Sequence, residues 1–117
     1  MMRRILVTGS RDWDDWSVIE HALRRFEGAP LTLVSGACPT GADYIAETIA
    51  ASLGWVIERH PADWAKWGKQ AGYLRNRRMV ELGANVCLAF IKNGSRGATM
   101  TADLAQKAGI PTRRIIR

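Results

Sequence analysis

Strand-like and helix-like segments alternate along the whole of this 117-residue chain, and three of the handovers from strand to helix run through glycine-bearing loops. The first loop is Val7-Thr8-Gly9-Ser10-Arg11, the second runs from Ser35 to Asp43, and the third from Asn93 to Ala98. Around them the hydrophobic spacing predicts five strands, at 4–8, 31–35, 55–59, 85–91 and 111–116. It also predicts four helices. The first starts at Asp14 or Asp15 and runs to Phe26, turning Trp16, Ile19, Leu23 and Phe26 to one side. The second covers 41–52, with Ile45, Ile49 and Leu53 on one face. The others cover 70–82 and 99–107. Residues 61–68, with Trp64 and Trp67, read as a loop. The stretch from Asn85 to Ile91 is almost wholly apolar, as in a strand covered on both faces, and the last strand reads as an edge. A β-α-β order of this kind implies an α/β three-layer sandwich, with a mostly parallel five-stranded sheet between two helical layers.

In such sheets ligands bind beyond the carboxyl ends of the strands, where these loops gather. Glycine lets backbone approach a ligand, and helix amino ends present free N–H groups to anions. The loops therefore suggest a nucleotide or sugar-phosphate pocket. In the first, Gly9 permits a tight turn, the Ser10 hydroxyl is a phosphate donor, and Arg11 a bidentate partner. In the second, Gly36 closes the strand and Gly41 opens the helix. Asp43 has two readings, an acceptor for ribose or base hydroxyls or a carboxylate that favours the helix dipole. In the helix at 70–82, Arg75 and Met79 share a face and Asn76 is a candidate ribose or base contact. In the third loop, Gly94 and Gly97 flank Ser95 and Arg96 as a second phosphate cradle. Trp64 and Trp67 either stack on a base or pack as a lid. Neither GxGxxG nor GxxxxGK[ST] is present, which disfavours a standard dinucleotide dehydrogenase and excludes a P-loop.

Length and a 47% hydrophobic content suit one domain spanning 1–117. No apolar run is long enough to cross a membrane, and Met1 to Arg4 lead into a short first strand rather than a signal peptide, so a cytoplasmic protein is expected. The net charge of +6 is dispersed over Arg3-Arg4, Arg24-Arg25, Arg75 to Arg78 and Arg113 to Arg117. Nucleic acid is thus the lesser reading beside a phosphate-bearing small molecule. The two cysteines form no ligand cluster, and no metal is expected. Cys87 reads as a core residue. Cys38 reads as a loop residue, with His60 the candidate base if it were a nucleophile. Five tryptophans in so short a chain make self-association an expectation.

Taken in order, five motifs resemble the SLOG superfamily, and within it the YspA/YpsA-related group of bacteria and phages. They are Gly9-Ser10-Arg11; Gly36 with Gly41-Ala42-Asp43; Pro61-Ala62-Asp63-Trp64 with Gly68 and Ala71-Gly72; Arg75-Asn76-Arg77-Arg78-Met79; and Gly94-Ser95-Arg96-Gly97. The resemblance implies a Rossmann-like fold that binds nucleotides or nucleotide-derived, ADP-ribose-like ligands. Its relatives include the LOG phosphoribohydrolases, which are dimers, and the DNA-processing protein DprA. Arg75 and Met79 match the arginine-containing helix of the LOG pattern, and Gly94 and Gly97 match the glycines of its PGGxGTxxE loop. Ala98 stands in place of the loop threonine, Thr101 in place of the catalytic glutamate, and Asp103 lies two positions beyond. A threonine cannot stabilise a developing oxocarbenium ion or activate water as a carboxylate does. The resemblance thus implies binding or sensing first. N-glycoside hydrolysis is second, with Arg75 and Asp43 as candidate catalytic residues and Asp103 as an alternative carboxylate. A DNA-binding module is third.

Overall fold

The computed structural model describes residues 3–117. Its strands are β1 (Arg3–Gly9), β2 (Leu31–Ser35), β3 (Val56–Arg59), β4 (Val86–Ile91) and β5 (Thr112–Ile116). Its helices are α1 (Trp16–Arg24), α2 (Gly41–Ser52), the single turn α3 (Trp64–Trp67), α4 (Ala71–Leu82) and α5 (Arg96–Lys107), with a 3₁₀ turn at Gly68–Gln70 joining α3 to α4. The strands lie in the order β3-β2-β1-β4-β5, and every pairing is parallel. The fold is therefore Rossmann-like, as expected, and its sheet is parallel throughout.

Alternation along the strands sorts the side chains into two layers. Ile5 and Val7 of β1, with Leu31 and Leu33 of β2 and Leu88 and Phe90 of β4, pack under α1 and α2. On the opposite face, Leu6, Val34 and Cys87 meet Met79 and Val80 of α4 and Ala105 of α5. Ala98 and Ala102 of α5 lie on Ala89 and Ile91 of β4. Small residues let α5 sit close to the sheet. Because chain connections pass over different faces on either side of β1, its carboxyl end is the point where the topology switches.

Three local readings differ from the sequence pattern. Trp16 is exposed and lies in a T-shaped arrangement with Tyr44 at 6.0 Å. The buried tryptophan is Trp13, in the preceding loop: its ring packs edge-on to Phe90 at 5.5 Å and its Nε1–H donates to the Asp15 carbonyl. An aromatic in a loop can reach a gap that the helical register does not. Residues 64–67 form a helical turn because the Asp63 carboxylate caps the Lys66 amide. Helix α5 starts at Arg96, three residues early, because a first-turn amide needs no intrahelical acceptor and Gly97 there costs little.

The carboxyl end of β1 is crowded. A Cβ on Gly9 would lie 2.3 Å from the Ala42 Cβ and 2.8 Å from the Phe90 carbonyl oxygen. Gly41 has φ of +73°, and a Cβ there would lie 2.3 Å from the Ser10 carbonyl oxygen. Gly9→Ala is expected to destabilise the protein by about 1–3 kcal/mol, because three packed elements must separate. Urea unfolding at neutral pH measures the loss; an unchanged midpoint would contradict this packing.

Candidate functional site

The three glycine loops converge. They open on one cleft of about 650 Å3 at the carboxyl ends of β1, β2 and β4. Gly9, Ser10, Arg11, Gly36, Asp43, Arg75, Asn76, Ser95, Arg96 and Gly97 all line it. Gly41 and Gly94 do not: Gly41 serves the close approach of the second loop to the first, and Gly94 a left-handed turn at φ of +64°.

Ser10 has a different task from the expected phosphate contact. It is almost fully buried, and its Oγ accepts from the Lys92 amide at 2.7 Å and donates to the Lys92 carbonyl at 3.2 Å. Its own amide donates to Phe90, and its carbonyl accepts from Ala42 and Trp13. The first loop is thereby stapled to the end of β4. The uncapped backbone amides at the cleft are instead at the amino end of α5. There the first helical bond runs from the Thr99 amide to the Ser95 carbonyl, at 3.1 Å. The amides of Arg96, Gly97 and Ala98 ahead of it have no intrahelical acceptor. These residues line the cleft, and Ser95 makes no side-chain cap.

The second loop is held from beneath. The buried Glu47 carboxylate accepts from the Ser35 hydroxyl at 2.7 Å and from Arg59 Nε at 2.6 Å. Ser35 Oγ in turn accepts from the amide of Ala37, which sits at φ of +61°. This loop presents the Cys38 amide to the Asp43 carboxylate at 3.2 Å. Arg75 reaches in from α4. Its Nη1 donates to the Gly36 carbonyl and, at 3.4 Å, to that of His60, while Nε donates to Asn76 Oδ1 at 2.6 Å. Gly36 is bare because a Cβ would fall 2.7 Å from Arg75 Nη1 and 3.1 Å from Asp43 Oδ2. Burial pushes the Asp43 carboxyl up to about 6, against the opposing pull of the Cys38 amide and the Arg75 guanidinium. The same burial lowers the Arg75 pKa, and Asp43 partly restores it.

The far wall is Trp64 of α3, half exposed, with the Arg11 guanidinium 5.8 Å from its ring centroid. Gly72 makes room for this ring, since a Cβ there would stand 3.2 Å from Trp64 Cη2. Trp67 does not line the cleft; its ring lies beneath the Lys66 ammonium on the surface. Lys92 and Asn93 were missed from the sequence. Both line the cleft and tie to Asp12, Lys92 Nζ through the backbone oxygen and Asn93 Nδ2 through the carboxylate, each at 3.3 Å. The available signal was a cation directly following an apolar strand. Cys38 lines the cleft, but His60 does not serve it. His60 Nε2 is hydrogen-bonded at 2.7 Å to Glu58, which Arg4 grips with both terminal nitrogens. Cys87 is buried in the core, its thiol pushed up to about 12 by burial. Neither Thr101 nor the alternative carboxylate Asp103 lines the cleft: Thr101 is buried and donates to the Gly97 carbonyl, and Asp103 pairs with Arg114 at 2.7 Å.

The sequence profile of the YspA, cpYpsA-related SLOG family matches residues 3–67, more than half of the chain. The protein belongs to that family. The matched range carries the first two loops, Asp43 and Trp64; Arg75 and the α5 cradle lie beyond it. The chain is also similar to the Gene 61 protein of Mycobacterium phage D29, with 44% identity over an alignment 119 positions long that covers 94% of each chain. No solved structure matches. Among the described residues, no helix is long and apolar enough to cross a membrane.

Asp43 makes the stability of this SLOG domain depend on pH. Its folded carboxyl titrates near 6 against an ordinary 3.8, so the folded state holds the proton more tightly. The stabilising contribution is full below about pH 4 and is lost as pH rises through about 6. Asp43→Asn removes this dependence. Between pH 4 and pH 7, wild type is expected to lose on the order of 2 kcal/mol relative to the variant. Urea unfolding of the two proteins at both pH values checks it; parallel stabilities would contradict the burial of this carboxylate.

Proposed function

We propose that this protein binds a nucleotide or nucleotide-derived ligand in the cleft, with phosphate on the amino end of α5 and ribose or base toward Asp43 and Asn76. The carrying observation is the amino end of α5, where the Arg96, Gly97 and Ala98 amides have no intrahelical acceptor and these residues line the cleft together with Arg11. The buried Asp43 supplies an acceptor for a hydroxyl, and the exposed face of Trp64 a surface for a base. Membership of the SLOG family supports a nucleotide-related ligand. Binding, as in a sensor, is favoured over hydrolysis because the carboxylate expected on α5 is replaced by a threonine turned into the helix.

Asp43 favours a second reading, cleavage of an N-glycosidic bond. A cleft carboxyl that titrates near 6, close to a guanidinium, has the character of a tuned acid or base. Incubation with nucleoside monophosphates and with NAD, followed by chromatography for free base, separates the readings. Base release that is lost in Asp43→Asn would establish the enzyme; no release alongside binding supports the sensor.

Gly97→Ala tests the site without breaking the fold. A Cβ at this helical position meets nothing within 4 Å, so the variant is expected to gain about 0.5 kcal/mol of stability from the higher helix propensity of alanine. Its methyl group narrows the amide cradle, and affinity for nucleotide is expected to fall about tenfold or more. Thermal-shift titration against nucleoside mono- and diphosphates and ADP-ribose reads both effects. Equal ligand shifts in the two proteins would remove α5 from the site; no shift with any of these compounds would overturn the nucleotide reading.

A further inference from the structure

Away from the cleft, the sheet face under α1 and α2 is incompletely covered. Leu88 of β4 and Ile115 of β5 floor a second groove, of about 440 Å3, alongside α1. The helix contributes Val18 and Ala22 to this wall, with Phe26 just past its end. Lining positions 17–18, 21–22 and 25–26 fall on three successive turns, so the groove runs the length of α1, about 13 Å. An occupant must be elongated and must present aliphatic groups.

The rim is cationic. Arg25 and Arg113 stand over this apolar floor, and neither has a carboxylate within ion-pair distance among the described residues. Their sequence neighbours hold the local acids. Arg24 pairs with Glu20 and Glu27, and Arg114 pairs with Asp103. These carboxylates are thus committed to Arg24 and Arg114, and the two arginines of the groove have no ion-pair partner among the described residues. An apolar trough with an unneutralised rim is complementary to an apolar stripe flanked by acids.

We infer that this groove docks an acidic amphipathic helix of a partner protein, with its aliphatic side chains on the partly exposed Val18, Phe26 and Ile115 and its carboxylates at Arg25 and Arg113. A second copy of this chain is a poor occupant. Each carries a net charge of +6, and a two-fold contact would set Arg25 and Arg113 against their own kind. Nucleic acid satisfies the rim but leaves the apolar floor facing phosphates.

The probe is a panel of short fluorescein-labelled helices with leucine at i, i+3, i+4 and i+7 and glutamate on the flanks, titrated by anisotropy at physiological salt. Micromolar binding is expected. It should weaken about tenfold or more in the Arg25→Glu, Arg113→Glu double variant and in Ala22→Trp, which fills the trough, and should stay unchanged in Arg78→Glu, a solvent-exposed arginine on α4. Replacing the glutamates with lysines should abolish binding. Melting curves check each variant; if Ala22→Trp does not fold, the double arginine variant carries the test. Three results would overturn the inference: no peptide of the panel binds; Arg78→Glu weakens binding as much as the double variant; or light scattering finds a dimer that the groove variants dissolve. Oligonucleotide binding lost in the double variant but kept in Ala22→Trp would give the rim to nucleic acid and overturn it as well.

Discussion

Ser10 ties the two halves of the sheet to the loops that form the cleft. Its amide and carbonyl bind Phe90, Ala42 and Trp13, and its hydroxyl spans both the donor and the acceptor of Lys92. These bonds are shielded from water, where a lost partner is costly. They are possible only because Gly9 and Gly41 have no side chains to hold the backbones apart. With the end of β1 clamped to the end of β4, the amino end of α5 is set at a defined distance from the first loop. The cleft between them is preformed, so a ligand entering it need not order those loops.

Charge is distributed unevenly over the molecule. Arg4, Arg24, Arg59, Arg77 and Arg114 are each engaged by a carboxylate. Inside the cleft the pattern changes: Arg75 is held by carbonyl groups and Asn76, Arg11 lies against Trp64, and the first amides of α5 have no intrahelical acceptor. Asp43 is buried at the cost of an elevated proton affinity. Such groups persist only where the surrounding packing holds them in place. The Glu47–Ser35–Ala37 chain supplies that support for the second loop, where a non-glycine residue is kept in the left-handed region.

Much of the architecture was legible because its signals are local. Apolar runs such as 86–91 and the Asp15 cap on Val18 each act over a few residues. The glycine loops marked the cleft for the same reason. Trp13 and Trp16 were less readable, since the buried ring and the exposed ring are three positions apart and it is the position of Phe90 that distinguishes them. The early start of α5 was hidden by Gly97, a residue that reads as loop yet is tolerated in a first helical turn. The two-sided engagement of Arg75 was likewise invisible, because Gly36 and His60 approach it from other strands.

The order of strands and helices, the two-layered apolar pattern and the residues able to meet an anion are properties of the sequence, for each follows from side-chain spacing and backbone freedom over one or two turns. Which of those residues are free to do so was decided by the tertiary structure. Ser10 is spent on a backbone 82 residues away, Gly41 on a close approach, and Thr101 on its own helix, while Lys92 and Asn93 are brought to the rim. A hydrogen-bonding group engaged by a distant strand is no longer available to a ligand, and only the folded chain sets that distance.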